Sequence, residues 1–466
     1  MKTIRECLQS YTSTDFYPFH MPGHKRNLRM LGSELPYSLD ITEIDGFDDL
    51  HHASGLLKEA QERAGAVFGA EESHFLVNGS TGGILSAIKG IADLGDTILV
   101  ARNCHKSVYN GLEMFGIKAV FLYPRIDQET GICQGISPAA VREALNAHPE
   151  CKGLVITSPT YEGVVSQVRE IADILHQRQL PLIVDEAHGA HFGFHKDFPA
   201  SSNVSGADIV IHSLHKTLPA LTGTGLLHMN GEIVDKKKVA RMLTKLQTSS
   251  PSYLLMASID ECVSFLQERG PEEFARYTRE LQELRSELRQ LKRLKLVEGP
   301  GYELSKIVIS TRETSLTGTQ LMAYLRREHH LELEMASGDY VVAMTSVCDC
   351  KEGFLRLLKG LLQMDERLSE KSGERENFGT PVTRVKYSIS ETVKKKRKNV
   401  IIEEAAGMIA AEYIYLYPPG VPLLIPGEEI TQTMIQVILK YRADGLEVQG
   451  LTDTRGDLRI EVIDFG

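Results

Sequence analysis

No apolar run in this 466-residue sequence approaches the roughly 20 residues needed to cross a bilayer. Its first residues, Met1-Lys2-Thr3-Ile4-Arg5-Glu6, lack the apolar stretch of a secretory signal. Both absences point to the cytoplasm. Positive charge is not in excess: 52 Lys and Arg against 62 Asp and Glu leave a formal charge of −10. That balance argues against a general nucleic-acid binder and agrees with a cationic small substrate. Cysteines are few and scattered, seven in all, and only Cys348 and Cys350 are close, with no second pair or nearby His. This is poor zinc spacing, so reduced thiols and no metal are expected. His51 and His52 are adjacent, so they point in different directions and make a poor metal pair. There is no internal repeat, no Gly-x-Gly-x-x-Gly and no nucleotide P-loop lysine, which sets aside NAD and ATP.

What is present is an ordinary globular composition, 42% apolar and 24% charged, on a chain long enough for two or three domains. Its centre is Ser213-Leu214-His215-Lys216-Thr217, which follows an apolar run at 207–211 that reads as a buried strand. About thirty residues upstream, another apolar strand at 181–184 ends in Asp185-Glu186-Ala187-His188. In a parallel sheet both strand ends open onto the same edge, where α/β proteins place their ligands. An acid, a lysine and several imidazoles at one edge can hold pyridoxal 5'-phosphate (PLP). Lys216 would form an imine with the aldehyde, and Asp185 would keep the pyridine nitrogen protonated. Taken singly, a lysine after a strand is a solvated loop residue; it is the ordered combination that carries the reading.

The order includes an upstream anion site. A strand at 73–77 leads into Asn78-Gly79-Ser80-Thr81-Gly82-Gly83 and a helical pattern at 84–91. Glycines, hydroxyls and a helix N-terminus suit a phosphate, although a plain N-cap and tight turn would look the same. His105 lies just past a strand at 96–101, where an imidazole could stack on a flat cofactor or simply cap a helix. Further strands at 119–122 and 153–158, alternating with helices such as 168–177, predict an open, mainly parallel sheet covered on both faces.

Around this core the sequence divides into an N-terminal arm at 1–55, a large domain at 56–260, a small α+β domain at 261–365, a linker at 366–380 and a C-terminal α+β domain at 381–466. Leu56, Leu57, Ala60, Ala64 and Val67 mark one face of a helix over 56–70, and a long helix is expected from Pro271 to about Leu294. Thr248-Ser249-Ser250-Pro251-Ser252-Tyr253 is a hydroxyl cluster opening a helix. The basic run Lys394-Lys395-Lys396-Arg397-Lys398 reads as a solvated face before a polyanion site.

At these residues the chain resembles the PLP-dependent ornithine/lysine/arginine decarboxylases of class I. The likeness runs from His20-Met21-Pro22-Gly23-His24-Lys25 to the Tyr-Pro-Pro-Gly-x-Pro-x-x-x-Pro-Gly-Glu at 417–428. It implies an aspartate-aminotransferase-like (fold type I) domain and decarboxylation of arginine or lysine, with ornithine behind them, to an amine and CO2. By this resemblance Lys216 is the Schiff-base lysine, Asp185 pairs with the pyridine nitrogen and His105 stacks on the ring. Ser80 and Thr81 hold the phosphate with Ser213 and His215 beside it. Thr248 and Ser249 reach the phosphate of a neighbouring subunit, and His188 sits where larger relatives carry a tryptophan. His215 and Lys216 are the candidates for returning a proton to Cα. The resemblance is to the short branch without an N-terminal wing domain, which implies a homodimer or a modest homo-oligomer and a place in polyamine biosynthesis. Other PLP enzymes (an aminotransferase, a lyase) or an inactive PLP-binding regulator are the alternatives.

Overall fold

The computed structural model describes residues 14–19, 23, 25, 27–31, 43, 47–369, 382–417, 420–454 and 456–466. Of the motif at 20–25 only Gly23 and Lys25 are among them, and most of the expected linker, 370–380, lies outside.

Strand β1 is Tyr17–Phe19. The large unit is then built on β2 (Glu72–Leu76), β3 (Thr97–Ala101), β4 (Lys118–Leu122), β5 (Leu154–Thr157), β6 (Leu182–Asp185), β7 (Ile209–His212) and β8 (Gly225–Met229). They form one sheet in the order β2-β8-β7-β6-β5-β3-β4. Every neighbouring pair is parallel except the two that β8 makes, antiparallel to both β2 and β7. Every residue of β6, β7 and β8 is buried, as helices on both faces require.

The helix Leu56–Phe68 turns Leu57, Ala60, Ala64 and Phe68 inward, but Leu56 is 48% exposed. The apolar stripe starts at Leu57, and the preceding residue is rotated about 100° off it. The long helix runs Gly270–Leu288, shorter than its leucine spacing suggested. Leu291 and Leu294 stay buried beyond its end. There the Asp365 carboxylate accepts hydrogen bonds from the backbone N–H groups of Lys292, Arg293 and Leu294 (2.8, 2.8 and 2.7 Å), which redirects the chain.

The smaller unit has an antiparallel sheet of Met335–Ala336, Tyr340–Met344, Lys306–Ser310 and Lys295–Leu296, packed with helices Gly318–His329 and Lys351–Arg367. β1 pairs in parallel with Leu331–Leu333 of this unit, so residues 17–19 of the expected arm are structurally part of it. The C-terminal unit has two three-stranded sheets around the helix Gln432–Ala443, with Ile402, Ile414, Leu424, Met434 and Ile460 at its centre. Its basic run is matched by acids: Arg397 with Glu412 and Glu461, and Lys398 with Asp464. Among the described residues one ion pair fastens the unit to the large sheet. Arg102, just past β3, meets Glu428 at 3.1 Å and donates to the carbonyls of Pro422 (2.7 Å) and Leu423 (3.1 Å), all out of water. Among the described residues no helix is long and apolar enough to cross a membrane.

Candidate active site

β6 and β7 are parallel neighbours, with Asp185 opposite Ile211. Past His212 the chain bends at Ser213 into a single helical turn, Leu214–Thr217, which carries His215 and Lys216 to the edge where Asp185 ends. Lys216 Nζ lies 2.9 Å from His188 Nε2. Desolvation pulls the Lys216 ammonium below the usual lysine range, against the opposing pull of Asp185 and then Glu334. Asp185 is 3% exposed and accepts one hydrogen bond among the described residues, from the Ala187 N–H at 3.2 Å. Burial raises its pKa and Lys216 works against that rise. Burial, with Lys216 adding to it, drives the His188 imidazole far below its ordinary range, so it is neutral. Its Nδ1 has no partner among the described residues.

His105 caps the helix Lys106–Phe115, its Nδ1 accepting from the Ser107 N–H at 3.2 Å. Burial, followed by Lys216 and Lys106, lowers its pKa to about 3, which leaves a neutral flat ring. The C-terminal unit comes right up to this ring. Lys106 N–H donates to Gly420 O at 3.0 Å, and a Cβ placed on Gly420, at φ +82°, would lie 3.3 Å from His105 Nε2.

Past the end of β2, Gly79 takes φ +76°, a conformation that favours glycine, and starts the helix Ser80–Ile91. Among the described residues nothing lies within 4 Å of where its Cβ would be. Ser80 Oγ and Ser213 Oγ are 2.5 Å apart, so the first turn with Ser80 and Thr81 and the turn before Lys216 share one hollow. His215 Nδ1 donates to Thr224 O at 2.8 Å. Thr248 and Ser249 are exposed and, among the described residues of one chain, meet none of the others; Thr248 O instead accepts from His51 Nε2 at 2.8 Å.

Several groups that the sequence reading left out also reach this edge. The Tyr161 ring lies 4.6 Å from the His188 ring, and its hydroxyl donates to Glu334. Glu162 accepts from the Tyr340 hydroxyl at 2.8 Å. Tyr161, Glu162, Glu334 and Tyr340 line a cavity of about 700 Å³ where the three units meet, with Tyr417 and Glu447 on its C-terminal side. Tyr161 and Glu162 follow a strand ending at the ligand edge, which was a usable signal. Glu334 sits between two short strands of the small unit and has no local signature.

The sheet that brings a lysine-bearing turn beside a strand-end aspartate has the fold of the fold-type-I PLP enzymes. The Francisella novicida lysine decarboxylase LdcF superposes with a TM-score of 0.77 at 19% identity, covering 98% of this chain and 80% of that one. The family models give the particular assignment. The model described as Orn/Lys/Arg decarboxylase, major domain, matches residues 4–304, and its C-terminal domain model matches 369–456. The arginine decarboxylase of Bacillus subtilis is 32% identical over 464 residues, 96% of this chain and 95% of that protein. That of Halalkalibacterium halodurans is 34% identical, over 93% and 92%. The chain belongs to the Orn/Lys/Arg decarboxylase family and is a PLP-dependent decarboxylase.

The residues present fit that cofactor. Asp185 is a buried carboxyl with one donor, which a cationic ring N–H would satisfy. The open space at Gly79, facing a helix start and two serine hydroxyls, suits a phosphate.

Proposed function

We propose that this chain decarboxylates a basic L-amino acid, arginine ahead of lysine and ornithine, releasing agmatine, cadaverine or putrescine with CO2. One observation carries the reading: Lys216, its charge acted on by Asp185 and Glu334, stands at a strand edge with a neutral imidazole on its amine. The names of the Bacillus and Halalkalibacterium relatives favour arginine. The carboxylates of Glu334 and Glu162 favour a substrate with a cationic side-chain end.

When bound, PLP supplies an aldehyde for a lysine amine and a ring that takes up the electron pair left by the departing carboxylate. The chain does the rest. Burial lowers the Lys216 pKa, which favours the free amine, the form that attacks carbonyls. Asp185 holds a proton on the ring nitrogen. His105 would present its neutral face to the ring, and the Ser80–Thr81 helix start, with Ser213 and His215, would hold the phosphate. Glu334, steadied by the Tyr161 hydroxyl, anchors the far end of the substrate, so the carboxylate to be lost is fixed at the other end. Lys216 or His215 returns a proton to Cα.

In this reading residues 56–260 and 261–365 form the catalytic body and 381–466 closes over it. The enzyme works in cytoplasmic polyamine synthesis as a homodimer or larger homo-oligomer, with Thr248 and Ser249 reaching the phosphate of the neighbouring subunit. The test incubates purified protein and PLP with each amino acid and identifies the product by mass spectrometry, with CO2 counted. Agmatine and equimolar CO2 are expected from arginine. A keto acid in place of CO2 would make it an aminotransferase. Lys216→Ala should lose both turnover and the visible absorbance of the tethered cofactor.

A further inference from the structure

Behind the Asp185 end of the sheet runs a line of buried polar groups that the chemistry above leaves unused. Ser73 on β2, His228 on β8, His212 on β7 and Glu186 after β6 lie on four adjacent strands. Each touches the next: Ser73 Oγ to His228 Nδ1 at 2.6 Å, His228 Nε2 to His212 Nδ1 at 3.0 Å, and His212 Nε2 to Glu186 Oε1 at 2.8 Å. All four are at most 4% exposed. The Phe68 ring covers both imidazoles, with centroids 5.3 and 5.2 Å away. Glu186 also accepts from Ser201 Oγ (3.0 Å), from the Ser202 N–H (3.0 Å) and from the Ser202 hydroxyl.

Two buried imidazoles in series are costly unless every nitrogen is matched. Here matching leaves one pattern for neutral rings. Glu186 only accepts, so His212 Nε2 carries a proton and its Nδ1 accepts from His228 Nε2–H. His228 Nδ1 then accepts from the Ser73 hydroxyl. Adding a proton at His212 Nδ1 reverses both remaining bonds, with His228 Nδ1–H turned toward Ser73. The line thus has two states differing by one positive charge. Asp185 is the last residue of β6 and Glu186 follows it, so the carboxylate that holds His212 is one residue from Asp185, and a charge at His212 is near enough to act on Asp185.

We infer that the line Glu186–His212–His228–Ser73 is a through-sheet proton relay that sets the charge behind Asp185, making His212 a positioning residue for the partner of the ring nitrogen. This rests on the role proposed for Asp185. A charge at His212 lowers the Asp185 pKa and so favours its ionised form. The other titratable groups packed around the line are His74, paired with Glu72; His191, paired with Glu303; and Lys216, beside Asp185.

The first test needs no cofactor. Nitrogen-15 histidine NMR of the apoprotein, assigned with His228→Gln and His212→Gln, should show near pH 8 that His228 carries its proton on Nε2, and Ser73→Ala should perturb that signal first. A His228 protonated on Nδ1 at every pH would overturn the two-state line. The second test is the pH titration of bound-cofactor absorbance. His212→Gln should move its midpoint by about one pH unit, the size of a nearby-charge effect, while Ser73→Ala, which keeps both imidazoles, moves it less. Asp185→Asn is the control. If Asp185→Asn moves the midpoint and folded His212→Gln leaves it in place, the relay is wrong. If neither moves it, the assignment of Asp185 fails instead.

Discussion

Two carboxylates raise the affinity of Lys216 for its proton, and they come from different units: Asp185 from the large sheet and Glu334 from the small one. In the proposed division of labour one serves the cofactor and the other the substrate's far end. Glu334→Gln should therefore raise KM for arginine by about ten- to a hundredfold, the loss of a charge-assisted contact of about 1.5–3 kcal/mol, with cofactor absorbance unchanged. Steady-state kinetics with a parallel spectrum checks it, and an unchanged KM would remove Glu334 from recognition. Glu303 gives a prediction about stability. Burial alone would raise its pKa, but Lys306, His191 and Ser305 together lower it from 4.5 to about 2. A depressed carboxyl stabilises the fold above its unfolded pKa, and that contribution is lost as pH falls from about 4.5 toward 2. Urea midpoints across this window should fall for the parent and fall less for Glu303→Gln.

At the scale of elements, the legible part of the site was the part that lies on contiguous strand–turn–helix units. Asp185 ends a buried apolar strand, Lys216 and His105 follow two others, and Ser80 follows the half-polar strand β2; the mainly parallel sheet sends these ends to one edge. Glu334 was not legible, because what brings it to Lys216 is the packing of one unit on another. The same holds for the end of the helix Gly270–Leu288: its leucines keep their spacing to Leu294, but Asp365, far along the chain, captures the next three N–H groups. The direction of β8 likewise depends on how its preceding turn returns. The strap of Arg102 to residues 422–428 allows a test at this scale. Arg102→Ala leaves Glu428 buried without its cation, which should cost about 3–5 kcal/mol. Because the strap seats Gly420 against His105, weaker cofactor binding should accompany the drop in thermal midpoint. Stability lost with full cofactor affinity would confine the strap to a structural role.

For the whole molecule, the exposed Thr248 and Ser249 matter because, among the described residues of one chain, neither bonds to another residue of the candidate site. If two copies exchange these residues, each site is a composite of two chains. Lys216→Ala and the double variant Thr248→Ala/Ser249→Ala, unfolded together and refolded as a mixture, should then recover activity up to about a quarter of the parent. Half the dimers are mixed, and each mixed dimer has one intact site. Without exchange between copies, mixing adds nothing to the separate activities.

The pairing of Tyr17–Phe19 with Leu331–Leu333 bears on how the protein is made. A ribosome releases the first of these strands early and its partner only when residue 333 has cleared the exit tunnel. Until then the early strand has no edge to join, while the catalytic sheet, complete at Met229, can already assemble. The expected order of biogenesis is therefore the large sheet first and the tethering of residues 17–19 last, and a nascent chain stalled before residue 331 should carry those residues open to protease.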